Sequence, residues 1–104
     1  METRSLPIAC SLTAPELQAR RANVLQKVRR AVSEVRELKD GYAYTFPSTS
    51  ECLAELAGLI DLERRCCPFL QFRITVAANE GPLVLEMTGP EGTKEFLRNT
   101  FTAE

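Results

Sequence analysis

Two turn signals in this chain, Lys39-Asp40-Gly41 and Asn79-Glu80-Gly81, are each followed by residues that alternate apolar and polar, which constrains the fold more than any other feature. After the first come Tyr42-Ala-Tyr44-Thr-Phe46. Around the second, Leu70, Phe72, Ile74 and Val76 alternate with Gln71, Arg73 and Thr75 on one side, and Leu83, Leu85 and Met87 follow at the same spacing on the other. A period of two across a tight turn predicts a β-hairpin. The first hairpin needs a partner strand upstream, so it takes residues 31–46, although Val24, Val28, Ala31, Val35 and Leu38 could instead prolong a helix as a heptad stripe. The second hairpin takes residues 69–88.

Helices fill the gaps. Thr13-Ala-Pro-Glu16 reads as a capping box with proline in the first turn, and Leu17, Val24, Leu25 and Val28 follow at helical spacing, which predicts a helix over 13–30 behind an N-terminal segment, 1–12, that carries Cys10. Ser48-Thr-Ser-Glu51 reads as a second box opening a helix over 48–66, which Pro68 stops. Gly89-Pro-Glu-Gly92 breaks the second hairpin, and a short helix over 92–101 carries Phe96, Leu97 and Phe101. The order is one helix followed by two strand-strand-helix units, with Asp40-Gly41 and Glu80-Gly81 matching 40 residues apart. That match is either an internal repeat or a coincidence of common elements. Both give an α+β single domain, a four-stranded antiparallel sheet with helices packed on one face.

A chain of 104 residues suits one such domain. Thirteen basic against fourteen acidic residues argue against a polyanion binder, and Arg20, Lys27 and Arg30 read as a solvated face of the first helix rather than a nucleic-acid surface. The opening residues contain no apolar run of signal-peptide length and no segment approaches a membrane span, so the expected compartment is cytoplasmic. There the four cysteines, Cys10, Cys52, Cys66 and Cys67, should be free thiols or ligands rather than a disulfide framework. The absence of histidine removes Cys/His pairs, Ser/His/Asp triads and histidine-bearing zinc sites, and leaves open whether the chain is an enzyme.

On a wheel of the second helix, Cys52, Leu53, Leu56, Leu59 and Ile60 form the core arc, and Glu63 falls inside it with Cys66 and Cys67 on either side. A carboxylate there needs a partner or water. Arg21 interrupts the apolar stripe of the first helix in the same way, so an Arg21–Glu63 ion pair beside the thiols is expected. The alternative is that Arg21 lays its stem over the core while Glu63 is partly solvated.

At a helix end, a turn forced by Pro68 can bring both sulfurs to one point, and antiparallel packing of the two helices would carry Cys10 there too. An all-sulfur site without histidine selects soft ions: mercury(II), arsenic(III), copper(I) or cadmium(II), or zinc if Glu63, water or another sulfur completes the tetrahedron. The expected ligands are Cys10, Cys66 and Cys67, with Glu63 and Arg21 behind them. Cys52, among core leucines, reads as plain core. Two other functions fit: a thiol redox enzyme or sensor in which Cys66 or Cys67 attacks, favoured as thiolate by Arg64 and Arg65 but opposed by the helix dipole, and a non-catalytic interaction domain whose cysteines are only core. The expected partner is a metal ion or a small thiol-reactive ligand, without membrane or nucleic acid, and a homodimer is compatible with the pattern.

The run E-R-x-C-C-P-F-L-x-F from Glu63 to Phe72, the C-x-L at Cys10 and the G-P-E-G-x-x-x-F-L from Gly89 to Leu97 resemble a group of small bacterial proteins of unassigned function. The resemblance implies that these motifs act as one unit and assigns no role to any residue. The adjacent cysteines alone are similar to the paired thiols of mercury-transport proteins.

Overall fold

The fold, obtained as a computed structural model, is described for residues 14–102. Helix α1 (Pro15–Ala31) is followed by strands β1 (Glu34–Glu37) and β2 (Gly41–Phe46), helix α2 (Ser50–Cys66), strands β3 (Gln71–Val76) and β4 (Leu83–Thr88), and a short helix α3 (Thr93–Leu97) that runs into a π-helical turn at Arg98–Thr102. The strands form one antiparallel sheet in the order β1-β2-β4-β3, so each hairpin contributes its second strand to the centre. This is the α+β arrangement of a helix and two strand-strand-helix units, with the helices on one face.

Alternation decides which face is buried. Tyr42, Tyr44 and Phe46 of β2 lie opposite Met87, Leu85 and Leu83 of β4, and all six are buried. Against them pack Leu25 and Val28 of α1, Cys52, Leu56 and Leu59 of α2, and Leu97 and Phe101 at the C-terminal end. Each fully buried leucine contributes about 1.5–3 kcal/mol relative to an exposed one. The opposite face carries Arg36, Thr45, Arg73, Glu86 and Thr88, polar residues as the period of two requires.

Several local expectations are corrected. The N-cap of α2 is Thr49, one residue later than the box expected from Ser48, because Thr49 N–H turns back to the Pro47 carbonyl (3.0 Å) while its hydroxyl accepts from Cys52 N–H (3.0 Å). Thr13 lies outside the described residues, and α1 begins behind Ala14 without a side-chain cap. On α2 the buried arc is rotated: Leu62 joins it and Leu53 is exposed.

The two hairpin turns share an acid-glycine pair but not a conformation. Leu38 N–H donates to the Gly41 carbonyl (2.8 Å) across Lys39-Asp40, and neither of these central residues has positive φ. At the second turn Asn79 (φ 59°) and Glu80 (φ 54°) are both left-handed, and Gly81 N–H donates to the Ala78 carbonyl (3.1 Å), the geometry that suits the twist of a hairpin. Gly41 is needed for another reason: a Cβ there would stand 1.8 Å from the Met87 carbonyl oxygen, so β2 and β4 approach closely because this side chain is missing.

Candidate metal centre

The last turn of α2 places Glu63, Cys66 and Cys67 at spacings of three and four, the separations that share one helix face. All three are fully buried. Pro68 prevents continuation, Leu70 N–H closes the following turn on the Cys67 carbonyl (3.0 Å), and Cys67 N–H caps the helix on the Glu63 carbonyl (2.6 Å). Phe69 and Leu70 anchor that turn in the core. Phe69 meets Phe96 edge to face at 5.0 Å, and a Cβ on Gly89 would stand 3.0 Å from the Phe69 carbonyl oxygen, so the loop after β4 packs on the turn after the cysteines. The two motif-bearing stretches are therefore one packed unit.

Glu63 is held from α1. Arg21 Nε donates to Oε2 at 2.6 Å and Nη2 donates to Oε1 at 3.0 Å, a bidentate charge-assisted pair. Arg21 keeps 17 % of its side chain exposed, so it carries its charge to the edge of the core while Glu63 sits inside. Burial works against the guanidinium, but the hydrogen bonds and charge of Glu63 outweigh it and hold its pKa above the ordinary value.

The same carboxylate reaches sulfur. The Cys67 thiol donates to Glu63 Oε1 at 3.4 Å, and its Sγ lies 3.7 Å from Cys66 Sγ. The donor atoms of Glu63, Cys66 and Cys67 all fall within 4.8 Å of one another. Two sulfurs bound at about 2.3 Å to one tetrahedral ion lie about 3.8 Å apart, so the sulfur spacing matches such an ion with little movement. The spacing is also that of two sulfurs in ordinary contact, so it permits an ion without requiring one.

Burial pushes the Cys67 thiol up to about 12, with Glu63 adding to the rise and Arg21 partly offsetting it. At neutral pH the thiol is therefore protonated. Arg64 and Arg65, which the sequence sets against the helix dipole in favour of a thiolate, both reach back instead to Asp61, at 2.8 and 2.5 Å, and Asp61 is held below its usual range by them. The spacing of Asp61 to Arg64 and Arg65, three and four residues on an exposed face, was the signal for this.

Cys52 and Cys67 are free thiols, whereas Cys66 is disulfide-bonded. This departs from the expectation that the cysteines are free thiols or ligands rather than disulfide-bonded. It also means that Cys66 becomes a thiolate ligand only after reduction. Cys52 is buried in the first turn of α2, about 21 Å along the axis from Cys66, and burial raises its pKa. Cys10 lies outside the described residues. No described helix is long and apolar enough to cross a membrane. No family model, curated protein or solved structure matches the chain.

Proposed function

We propose that the chain, once reduced, binds a soft metal or metalloid ion through Cys66 and Cys67, with Cys10 supplying a third sulfur and Glu63 and Arg21 setting the charge around it. The observation that carries this reading is the buried group of one carboxylate and two adjacent sulfurs at ion-compatible spacing. Sulfur donors without histidine suit mercury(II), arsenic(III), copper(I) or cadmium(II), and zinc where a fourth donor completes the tetrahedron. Arg21 offsets one negative charge of the donor set, which favours a divalent ion over a monovalent one when two thiolates bind.

The test uses protein reduced under nitrogen, freed of ions with chelator, loaded with cadmium(II) and desalted. Mass spectrometry should find about one ion per chain with thiolate-to-metal absorption in the ultraviolet, as for a site in which binding releases thiol protons. Both signals should vanish in the Cys66→Ser/Cys67→Ser variant, and full stoichiometry in that variant sinks the reading.

A second reading, thiol redox chemistry, is favoured by one observation: the free Cys67 thiol stands 3.7 Å from the sulfur of a disulfide-bonded cysteine. Exchange would begin with loss of the Cys67 proton and attack of its thiolate on Cys66 Sγ, forming a Cys66–Cys67 disulfide, breaking the existing disulfide of Cys66 and releasing the displaced sulfur as a thiolate that takes up a proton; the high pKa of Cys67 keeps the attacking thiolate scarce. Reversible loss of two thiols on mild oxidation, without ion uptake by the reduced protein, would select this reading over the first.

A further inference from the structure

The two edges of the sheet are built differently. β1 has four residues, three of them charged (Glu34, Arg36 and Glu37), which is how a sheet edge is kept from pairing with another chain. β3 has six residues, Gln71-Phe-Arg-Ile-Thr-Val76, with one charge, no proline, no glycine and an unbroken one-to-one register with β4. Its outer edge is unpaired among the described residues.

The helices also stop short of β3. Phe72, Ile74 and Val76 point to the helix side opposite Met87, Leu85 and Leu83, which are buried, yet Ile74 is 37 % exposed and Val76 58 %. One row of the same apolar face is covered and the next is open.

We propose that β3 pairs with β3 of a second copy of this chain, antiparallel about a two-fold axis through Ile74, extending the sheet from four strands to eight. Charge and pattern select that register. Paired residues of an antiparallel ladder point to the same face, so keeping both sets of helices on one side requires the axis to pass through a residue rather than between two. An axis at Arg73 sets two arginines against each other. An axis at Thr75 carries Phe72 beyond the strand, opposite Ala78, and an axis at Phe72 carries Val76 beyond it, opposite Pro68, which has no N–H to give the ladder. The axis at Ile74 sets Ile74 on itself, Phe72 opposite Val76 and Arg73 opposite Thr75, so apolar residues meet apolar ones and no like charges face each other. A net charge of −1 per chain adds little general repulsion. This interface goes beyond ion binding and does not depend on it.

Sedimentation velocity over a concentration series tests the pairing, with circular dichroism confirming that each variant is folded. The wild-type chain should show a reversible monomer–dimer equilibrium. Ile74→Lys, at a partly exposed position, should weaken it roughly tenfold or more by placing two ammonium groups together at the axis. Thr75→Glu should tighten it by facing Arg73 of the other copy, Thr75→Lys should loosen it, and Arg73→Glu combined with Thr75→Lys should restore it. Val35→Lys on the opposite edge should leave it unchanged. A chain that stays monomeric at all concentrations overturns the proposal, as does a dimer indifferent to Ile74→Lys and to the charge at position 75. Slow hydrogen exchange of the outward β3 amides in a monomer would also overturn it, because the chain itself would then cover that edge.

Discussion

Replacing Arg21 with methionine tests how the centre is held together. Methionine keeps most of the apolar stem and removes the two charge-assisted hydrogen bonds to Glu63, at 2.6 and 3.0 Å, leaving the carboxylate only the weaker thiol contact at 3.4 Å. The gross attraction at this separation is about 5 kcal/mol with an effective dielectric of about 20. Removing one member of a buried pair typically costs about 3–5 kcal/mol, and the 17 % exposure of Arg21 lets water reach the vacated side, so the lower end, about 3 kcal/mol, is expected. Glu63→Gln should cost less, about 1–2 kcal/mol, because the orphaned guanidinium can turn towards solvent and the amide still accepts a hydrogen bond. The double variant should then be more stable than additivity predicts by about 2 kcal/mol. Urea unfolding of reduced, ion-free protein reads all three values from the midpoint and slope. For a domain of this size a 3 kcal/mol loss lowers Tm by roughly 12–24 °C. An Arg21→Met cost below about 1 kcal/mol, with additive effects in the double variant, would show that the pair is screened like a surface one and that the burial of Glu63 owes nothing to Arg21.

The Cys67 thiol is raised from about 9 to about 12, so its contribution to stability is full below the unfolded pKa and is lost as pH rises through the folded one; reduced protein should lose stability above about pH 9, at up to about 1.4 kcal/mol per pH unit, and Cys67→Ala should flatten that decline in urea midpoints. Gly41→Ala should cost about 3 kcal/mol or more, because its Cβ would overlap the Met87 carbonyl at 1.8 Å and the two central strands must separate to admit it; a thermal midpoint within a few degrees of wild type would contradict that close approach.

The sheet and its faces were legible because alternation in 42–46 and 83–87 leaves one solution for which side chains are buried, whereas the same alternation in 70–76 gave the face of Phe72, Ile74 and Val76 but not their exposure, since the helices stop short of that strand. The Arg21–Glu63 pair was legible for a related reason: two opposite charges each interrupted an apolar stripe, and burial leaves such charges little choice but each other. What stayed hidden depends on backbone detail. The pattern around Asp40-Gly41 identified a turn, but only the packing of β4 shows that the glycine makes room for the Met87 carbonyl and that the left-handed residues are Asn79 and Glu80 instead. The state of Cys67 was hidden as well, since the arginines beside it in the chain turn to Asp61 and leave burial and Glu63 to set its titration. Leu53 and Leu62 exchanged roles because a wheel gives directions around a helix and not the rotation at which it settles on its sheet.

The first two turns of α1 have a mechanical consequence. Of residues 15–23 every one but Arg21 is exposed, so that half of the helix has almost no apolar surface to hold it down. The fork of hydrogen bonds from Arg21 to Glu63 is a buried polar tie between that half of the helix and α2, and exposure of its other residues marks it as a part of the protein expected to open early. Glu63 in turn touches Cys67 through both its side chain and its backbone carbonyl. Whatever draws on that sulfur pulls on the latch of α1, and amide exchange in residues 18–22 of that helix can serve as a gauge of events at the buried thiol of Cys67.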